Sequence, residues 1–295
     1  MAKLGSVTRY DGGELKAFLA PLEVLFVRLA HRIDAALLEQ ALRLRFLCSP
    51  TTAHTHLDEA ALARRGVRLL SLRGERSFLE SIRATPEHTF GLILALLRRY
   101  KGAFAHVEAG GWDRDRFRGE ELSGKRVGII GLGRVGSQVA CYCAAFGAEV
   151  CFCDPEGASA NTGWQRLPDA ISVIGASRIV VLCAAYTEGM APIIGPAEVK
   201  ALSGRYFINT ARGELVDEPA LLAAIAADRL TGAASDMMAN ETGAHQLSQW
   251  RSAAAGRNVI LTPHLGGATV EAMARTEAFI ADKLVQALAS SGELV

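Results

Sequence analysis

Arg126-Val-Gly-Ile-Ile-Gly131-Leu-Gly133-Arg-Val-Gly136 is the stretch that decides the fold of this 295-residue chain. Residues of strand character, Arg126–Ile130, run into G-x-G-x-x-G, and a helical pattern follows. In that setting each glycine has its own task. Gly131 permits a tight turn, Gly133 lets the backbone approach a pyrophosphate, and Gly136 lets the helix pack closely on the sheet. Arg134 and Val135 lie at the helix N-terminus, where unpaired N–H groups and the positive dipole end favour phosphate. The next strand, Glu149–Cys153, delivers Asp154. A carboxylate there accepts hydrogen bonds from both ribose hydroxyls of NAD and repels the 2′-phosphate of NADP. The expected cofactor is NAD.

The same rhythm extends in both directions. Ile179–Cys183, Tyr206–Asn209, Gly232–Asp236 and Val259–Leu261 read as further strands, most of them separated by helical segments. Together with the first two they predict a doubly wound parallel sheet. Upstream, Val24–Leu29, Leu44–Cys48 and Val67–Leu72 are strand-like and alternate with helical Ile33–Leu42 and Leu57–Arg65, a second βαβ series. No clear strand precedes Tyr10. Thr85–Tyr100 reads as a long apolar helix with Pro86 in its first turn. Gly102–Gly119 reads as irregular, with a turn at Gly110-Gly-Trp112, and Val270–Leu288 as an amphipathic helix. The expected class is α/β.

Composition narrows the function classes. Half the residues are hydrophobic, 21% are charged and the formal net charge is +1. No strong field draws the chain to nucleic acid or to a membrane surface. The scattered arginines of Leu42–Arg76 read as a solvated face. No apolar run is long enough to span a bilayer. Met-Ala-Lys-Leu-Gly-Ser lacks the apolar core of a signal peptide, so a cytoplasmic protein is expected. The six cysteines suit that reducing compartment. Cys141, Cys143, Cys151 and Cys153 form C-x-C pairs rather than the C-x-x-C of zinc sites, and they sit in apolar segments. They read as small buried hydrophobes, and no metal is expected.

Ligands of open parallel sheets bind outside the carboxyl ends of the strands. One predicted strand ends in Asn209-Thr210-Ala211-Arg212-Gly213, another in Asp236 with Glu241 shortly after, and a third in Thr262-Pro-His264-Leu-Gly266-Gly267. An arginine, a carboxylate and a histidine can therefore converge beside a nicotinamide. Reduction of a 2-keto acid needs such a set. A guanidinium binds the carboxylate and carbonyl through parallel hydrogen bonds. The carbonyl oxygen needs a proton as hydride arrives, and histidine is readily poised to give it. A neighbouring carboxylate favours the imidazolium. Taken singly, Arg212 reads equally as a surface arginine, His264 as a loop histidine and Glu241 as a solvated carboxylate. At successive strand ends of a dinucleotide fold, they read together as a site.

In these segments the chain resembles the D-isomer-specific 2-hydroxyacid dehydrogenase family, phosphoglycerate dehydrogenase-like members above all. The similarity covers nearly the whole chain. It is carried by Glu87-His-Thr89, Trp112, Glu121-Leu-Ser-Gly-Lys125, Asn209–Gly213 with Leu215-Val-Asp217, and Thr262-Pro-His-Leu-Gly-Gly-Ala-Thr269. The resemblance implies an NAD-dependent dehydrogenase that interconverts a D-2-hydroxy acid and its 2-keto acid. Arg212 is then the substrate arginine, and Glu241 with His264 the acid–base pair. NAD contacts are implied for the Gly131–Gly136 loop, Asp154, Cys183, Ala184, Thr210, Ala211, Asp236 and His264, with Gly266 and Gly267 beside the nicotinamide. A flavodoxin-like substrate domain is implied at 1–99 and 274–295, interrupted by a Rossmann NAD domain at 100–273, both doubly wound. Pairing as a homodimer through the NAD domain is also implied.

Several departures bear on the substrate. Ala53, within Pro50-Thr-Thr-Ala-His-Thr-His56, replaces a glycine in a loop whose N–H groups bind the substrate carboxylate in the family. Thr52 and Ala53 are therefore candidate substrate residues with a Cβ that can bar a positive φ, while His54 and His56 read as ordinary loop residues. Leu182-Cys-Ala-Ala-Tyr186 lacks a proline usual near Ala185, and Met237-Met238 replaces Val-Phe. No amino-acid-sensing domain is expected beyond Val295. Arg28 and Arg73 read either as extra charge for a phosphorylated or sugar-acid substrate or as structural. The alternatives are a corepressor-like NAD-sensing module, a formate dehydrogenase, and an unrelated Rossmann enzyme. Intact Arg212, Glu241 and His264 argue against the first. The carboxylate of Glu241, where formate enzymes carry an amide, argues against the second, and Thr262–Gly267 against the third. The identity of the acid stays open.

Overall fold

The computed structural model describes residues 5–29, 31–155, 163–241 and 246–290. It divides into Met1–Ile82 with Thr269–Val295, and Arg83–Ala268. Both boundaries differ from the expected 99/100 and 273/274. The first differs because the helix Ala84–Leu97 buries Leu92, Ile93, Leu96 and Leu97 in one cluster with Val127, Ile129, Val139, Val181 and Ile208 of the larger unit. An apolar helix goes with the sheet that covers it, whatever its place in the chain.

The smaller unit has three parallel strands, β1 (Val24–Phe26), β2 (Phe46–Ser49) and β3 (Arg68–Ser71), in sequential order. Strand periodicity of two sends Leu47 into a cluster with Leu38, Ala61 and Leu62. Phe46 and Cys48 face the opposite way, toward Leu70, Ile280 and Leu284. Helices thus cover both faces, as an α/β layer requires. The reversal of strand order that defines double winding does not occur among its described residues. Asp34 and Asp58 start two of its helices by accepting the N–H groups of Leu37 and Ala61 at 2.9 and 2.8 Å. Such caps contribute about 1 kcal/mol each.

The larger unit holds a seven-stranded parallel sheet. Its strands are β4 (Arg126–Ile130), β5 (Glu149–Cys153), β6 (Gln165–Arg166), β7 (Ile179–Leu182), β8 (Tyr206–Asn209), β9 (Gly232–Ser235) and β10 (Val259–Leu261). The order is β10-β9-β8-β7-β4-β5-β6. It reverses between β4 and β7, which opens a crevice at their carboxyl ends. Six of these strands match the sequence reading. The seventh, β6, is a two-residue exposed edge with no apolar pattern to announce it. Every residue of β7, β8 and β9 is buried, as strands covered on both faces must be.

Two local expectations are corrected. Cys143, Cys151 and Cys153 are buried, but Cys141 is exposed. Residues two apart on a helix point to opposite sides, so Cys141 and Cys143 of the helix Arg134–Ala145 cannot both face the core. The expected irregular start at Gly102 is instead the helix Tyr100–Glu108, entered through Arg99 at φ 54 and closed by Gly110 at φ +82. Among the described residues no helix is long and apolar enough to cross a membrane.

Candidate active site at the strand ends

Strand order lines up the candidate residues along one edge of the sheet. From β5 the row runs Asp154, then Gly131–Gly136 after β4, Cys183 and Ala184 after β7, Asn209–Arg212 after β8, Asp236 after β9 and Thr262–Gly267 after β10. At about 4.8 Å per strand the row spans roughly 24 Å, a length suited to an extended dinucleotide.

The glycine loop fits a pyrophosphate. Gly131 has φ +91, and a Cβ there would lie 2.5 Å from Ala184 Cα, so neither conformation nor space admits a side chain. At Gly136 a Cβ would meet the Gly131 carbonyl oxygen at 2.1 Å. Gly133, by contrast, faces open space, and no side chain caps the helix Arg134–Ala145 that it starts. The close approach that glycine permits is thus left for a ligand. Asp154 is fixed beside the loop, its Oδ2 accepting the Leu132 N–H at 2.7 Å. Cys183 borders the loop as a neutral thiol, pushed up by burial to about 12.

Arg212 leaves β8 through a self-braced turn. Asn209 Oδ1 accepts the Ala211 N–H at 3.0 Å, and its Nδ2 donates to the Arg212 carbonyl at 3.0 Å. Thr210 is buried and bonds Thr89 through their hydroxyls at 2.8 Å. Arg212 Nη1 donates to the Ala211 carbonyl, but its buried Nε has no hydrogen-bond partner. Burial lowers the pKa of this guanidinium, opposed by the charges of Glu241, Glu214 and Asp236. A half-buried cation with an unused donor is poised for an anion.

His264 Nδ1 lies 2.8 Å from Glu241 Oε2. Left-handed backbone stands at one member of this pair and just before the other. His264 has φ 54, and Asn240, just before Glu241, has φ 57; among the described residues the other non-glycine positive-φ positions are Arg99 and Asp228. A left-handed residue with a side chain costs about 1–2 kcal/mol, so the surroundings must enforce it. Asp236 does so at His264. It is 2% exposed, and its carboxylate accepts Thr262 Oγ1–H at 2.5 Å and the N–H groups of Leu265 and Gly266 at 2.7 and 2.8 Å. His88 Nε2 lies 3.3 Å away and also bonds Thr262. Burial alone would raise the pKa of Asp236, but these partners bring it below the ordinary carboxylate value.

Residues 90–266 match the D-isomer specific 2-hydroxyacid dehydrogenase, NAD binding domain. The chain belongs to this dehydrogenase family. Relatives within it include D-3-phosphoglycerate dehydrogenase of Mycobacterium leprae, 33% identical over 292 residues that cover 97% of this chain and 52% of the relative. The human D-3-phosphoglycerate dehydrogenase is 33% identical over 284 residues, covering 92% and 50%. The chain spans about half the length of the curated relatives it matches. D-lactate dehydrogenase from Aquifex aeolicus, solved with NAD and lactic acid, is 26% identical with a TM-score of 0.78, covering 95% of this chain and 86% of that one.

Within this dehydrogenase family framework, the larger unit brings together the glycine loop, Asp154, Cys183, Ala184, Thr210, Ala211, Arg212, Asp236, Glu241, His264, Gly266 and Gly267. Thr52 and Ala53 belong to the smaller unit. Ala53 has no positive φ, so its Cβ brings no backbone strain. His54 and His56 are buried, with His54 Nδ1 2.9 Å from Glu59. Arg73 spends both terminal nitrogens on Glu59, and Arg28 pairs with Glu277 at 2.8 Å, which favours the structural reading of both arginines. Sequence reasoning missed the supporting role of His88 and Thr262. His88 lay in a motif assigned only to the linking helix, and no spacing rule links it to Asp236.

Proposed function

We propose that this chain is an NAD-dependent D-2-hydroxyacid dehydrogenase in which Arg212 binds the substrate and His264, paired with Glu241, moves the proton. One observation carries the reading: the 2.8 Å His264–Glu241 pair, set at the strand ends of a dinucleotide fold that also presents a half-buried, partly unpaired Arg212. Glu241 engages Nδ1 and so leaves Nε2 to face the substrate. Arg212 would hold the 2-keto acid by its carboxylate and carbonyl oxygens. Bound NADH supplies the hydride. His264 Nε2 gives its proton to the carbonyl oxygen as negative charge develops there, and takes it back in the oxidation direction. Glu241 orients the ring and offsets the imidazolium charge. The glycine loop and Asp154 would hold the pyrophosphate and ribose. Cys183, Ala184, Thr210, Ala211, Gly266 and Gly267 line the rest of the row.

A homodimer through the NAD domain is part of the same proposal. Tyr100, Phe104 and Val107 form an i, i+4, i+7 stripe on a helix that buries nothing, with Phe104 61% and Val107 51% exposed. Trp112 nearby is 91% exposed. Such an exposed apolar stripe suits a second copy of the chain.

The test is NADH oxidation against a panel of 2-keto acids, followed by His264→Ala on the best substrate. That variant is expected to lose about 10²–10⁴-fold in kcat while NADH binding, read by fluorescence, persists. Unchanged turnover removes His264 from the chemistry.

A further inference from the structure

Two carboxyl side chains outside the Arg212–Glu241–His264 trio converge on the backbone just ahead of Glu241. Glu218 opens the helix Glu218–Ala226 and is 3% exposed. Its Oε1 accepts the Ala239 N–H at 2.9 Å and the Trp250 Nε1–H at 3.3 Å. Glu214, in the short turn Gly213–Leu215, accepts the next N–H, that of Asn240, at 3.1 Å. Glu218 Oε2 is buried without a partner. Burial pushes its carboxyl above the ordinary range, with the bonds to Ala239 and Trp250 opposing and the charges of Glu214 and Glu241 reinforcing. One oxygen of this buried carboxyl thus carries both bonds, and the other has no hydrogen-bond partner. A buried polar group of that kind costs stability unless its bonds serve some end, and an apolar residue of similar volume would fill the space.

We propose that Glu214 and Glu218 are positioning residues for Glu241: they hold the consecutive N–H groups of Ala239 and Asn240, and so tie the loop that carries Glu241 to the segment that carries Arg212. The inference rests on the role assigned to Glu241 above. The two segments already touch at Gly213, where a Cβ would lie 2.0 Å from Ala239 N. Asn240 then turns through its left-handed conformation and delivers Glu241 to His264. One stretch of backbone, 212–218, thus sets both the substrate cation and the acid–base carboxylate. A shift of either is felt by the other.

The experiment combines amide exchange at Ala239 and Asn240 with kinetics. Glu218→Leu keeps apolar bulk and removes both acceptors, whereas Glu218→Gln keeps a neutral acceptor in place. In Glu218→Leu we expect faster exchange at Ala239 and a kcat lower by about 10–100-fold, with KM for NADH within about twofold. Glu218→Gln should restore both. Glu214→Ala, at a half-buried site, should speed exchange at Asn240 and lower kcat several-fold. A folded Glu218→Leu with the parent kcat overturns the proposal, whether or not its exchange is faster, and so does a Glu218→Gln as impaired as the leucine variant. If Glu218→Leu fails to fold, Glu214→Ala decides: parent exchange at Asn240 with parent kcat refutes the tie. Should the parent protein reduce no 2-keto acid, the acid–base reading falls, and the exchange rates alone decide whether the two glutamates hold the loop.

Discussion

Gly213→Ala tests how tightly Arg212 and the loop that carries Glu241 are joined. A Cβ at position 213 would lie 2.0 Å from Ala239 N, 2.1 Å from Met238 C and 2.5 Å from Met238 O, where ordinary contact begins at 3.4 Å. All three are backbone atoms, so no side-chain rotation relieves the clash. The loop must move by on the order of 1 Å, and Glu241 moves with it. Misplacement of that size in an active site costs about 10²-fold. Overpacking typically costs about 1–3 kcal/mol. Gly213 has no positive φ, so alanine also stiffens the unfolded chain, a gain of about 0.4–1 kcal/mol. The net expectation is a modest loss of stability, about 1–2 kcal/mol, beside a large loss of kcat/KM. Urea unfolding and NADH oxidation with the preferred 2-keto acid measure the two. A variant with parental kcat/KM and parental stability would refute the reasoning, because the contact at Gly213 would then be too loose to couple Arg212 to Glu241.

The remaining predictions concern the cofactor, the His264 loop and the dimer. Asp154→Ser removes the carboxylate proposed to exclude a 2′-phosphate, so the ratio of NADPH to NADH turnover should rise about tenfold or more; an unchanged ratio means that Asp154 does not read the ribose. Asp236→Asn puts an amide against the N–H groups of Leu265 and Gly266 and should destabilise the protein by about 2–3 kcal/mol at neutral pH. The folded-state pKa of Asp236 is lowered, so its contribution is present above the unfolded pKa and is lost as pH falls through the folded one. The gap between parent and variant in denaturant unfolding should therefore close in acid, and a gap independent of pH contradicts the assignment. Phe104→Glu places a charge in the exposed stripe and should convert a dimer to a monomer by light scattering, whereas a parent protein that is already monomeric rejects the interface.

Much of the fold was legible because the governing signals are local. The short apolar runs Val127–Ile130 and Val150–Cys153 and the glycine spacing of 131–136 act over a few residues, and the strands they predict are present. Arg212, Glu241 and His264 could be singled out because the ends of parallel strands are where ligands bind, and that inference needs only the order of elements. Three readings differ from the structure. Tyr100–Glu108 is helical despite Gly102. Cys141 faces solvent because its helix turns it away from Cys143. The helix Ala84–Leu97 joined the larger unit because that sheet covers its apolar face.

By itself the sequence determined that this is a parallel α/β chain with a dinucleotide-binding turn, since glycine spacing and strand periodicity are properties of neighbouring residues. It also supplied the three groups suited to 2-keto acid chemistry. Tertiary structure alone decided how they are held. His88 reaches Asp236, Glu218 reaches Ala239, and Gly213 lies against Met238 across gaps in sequence that no local pattern spans. Hydrogen bonds act over about 3 Å of space regardless of chain separation. The geometry of the His264–Glu241 pair is therefore a property of the folded sheet edge, not of the motif in which His264 was first noticed.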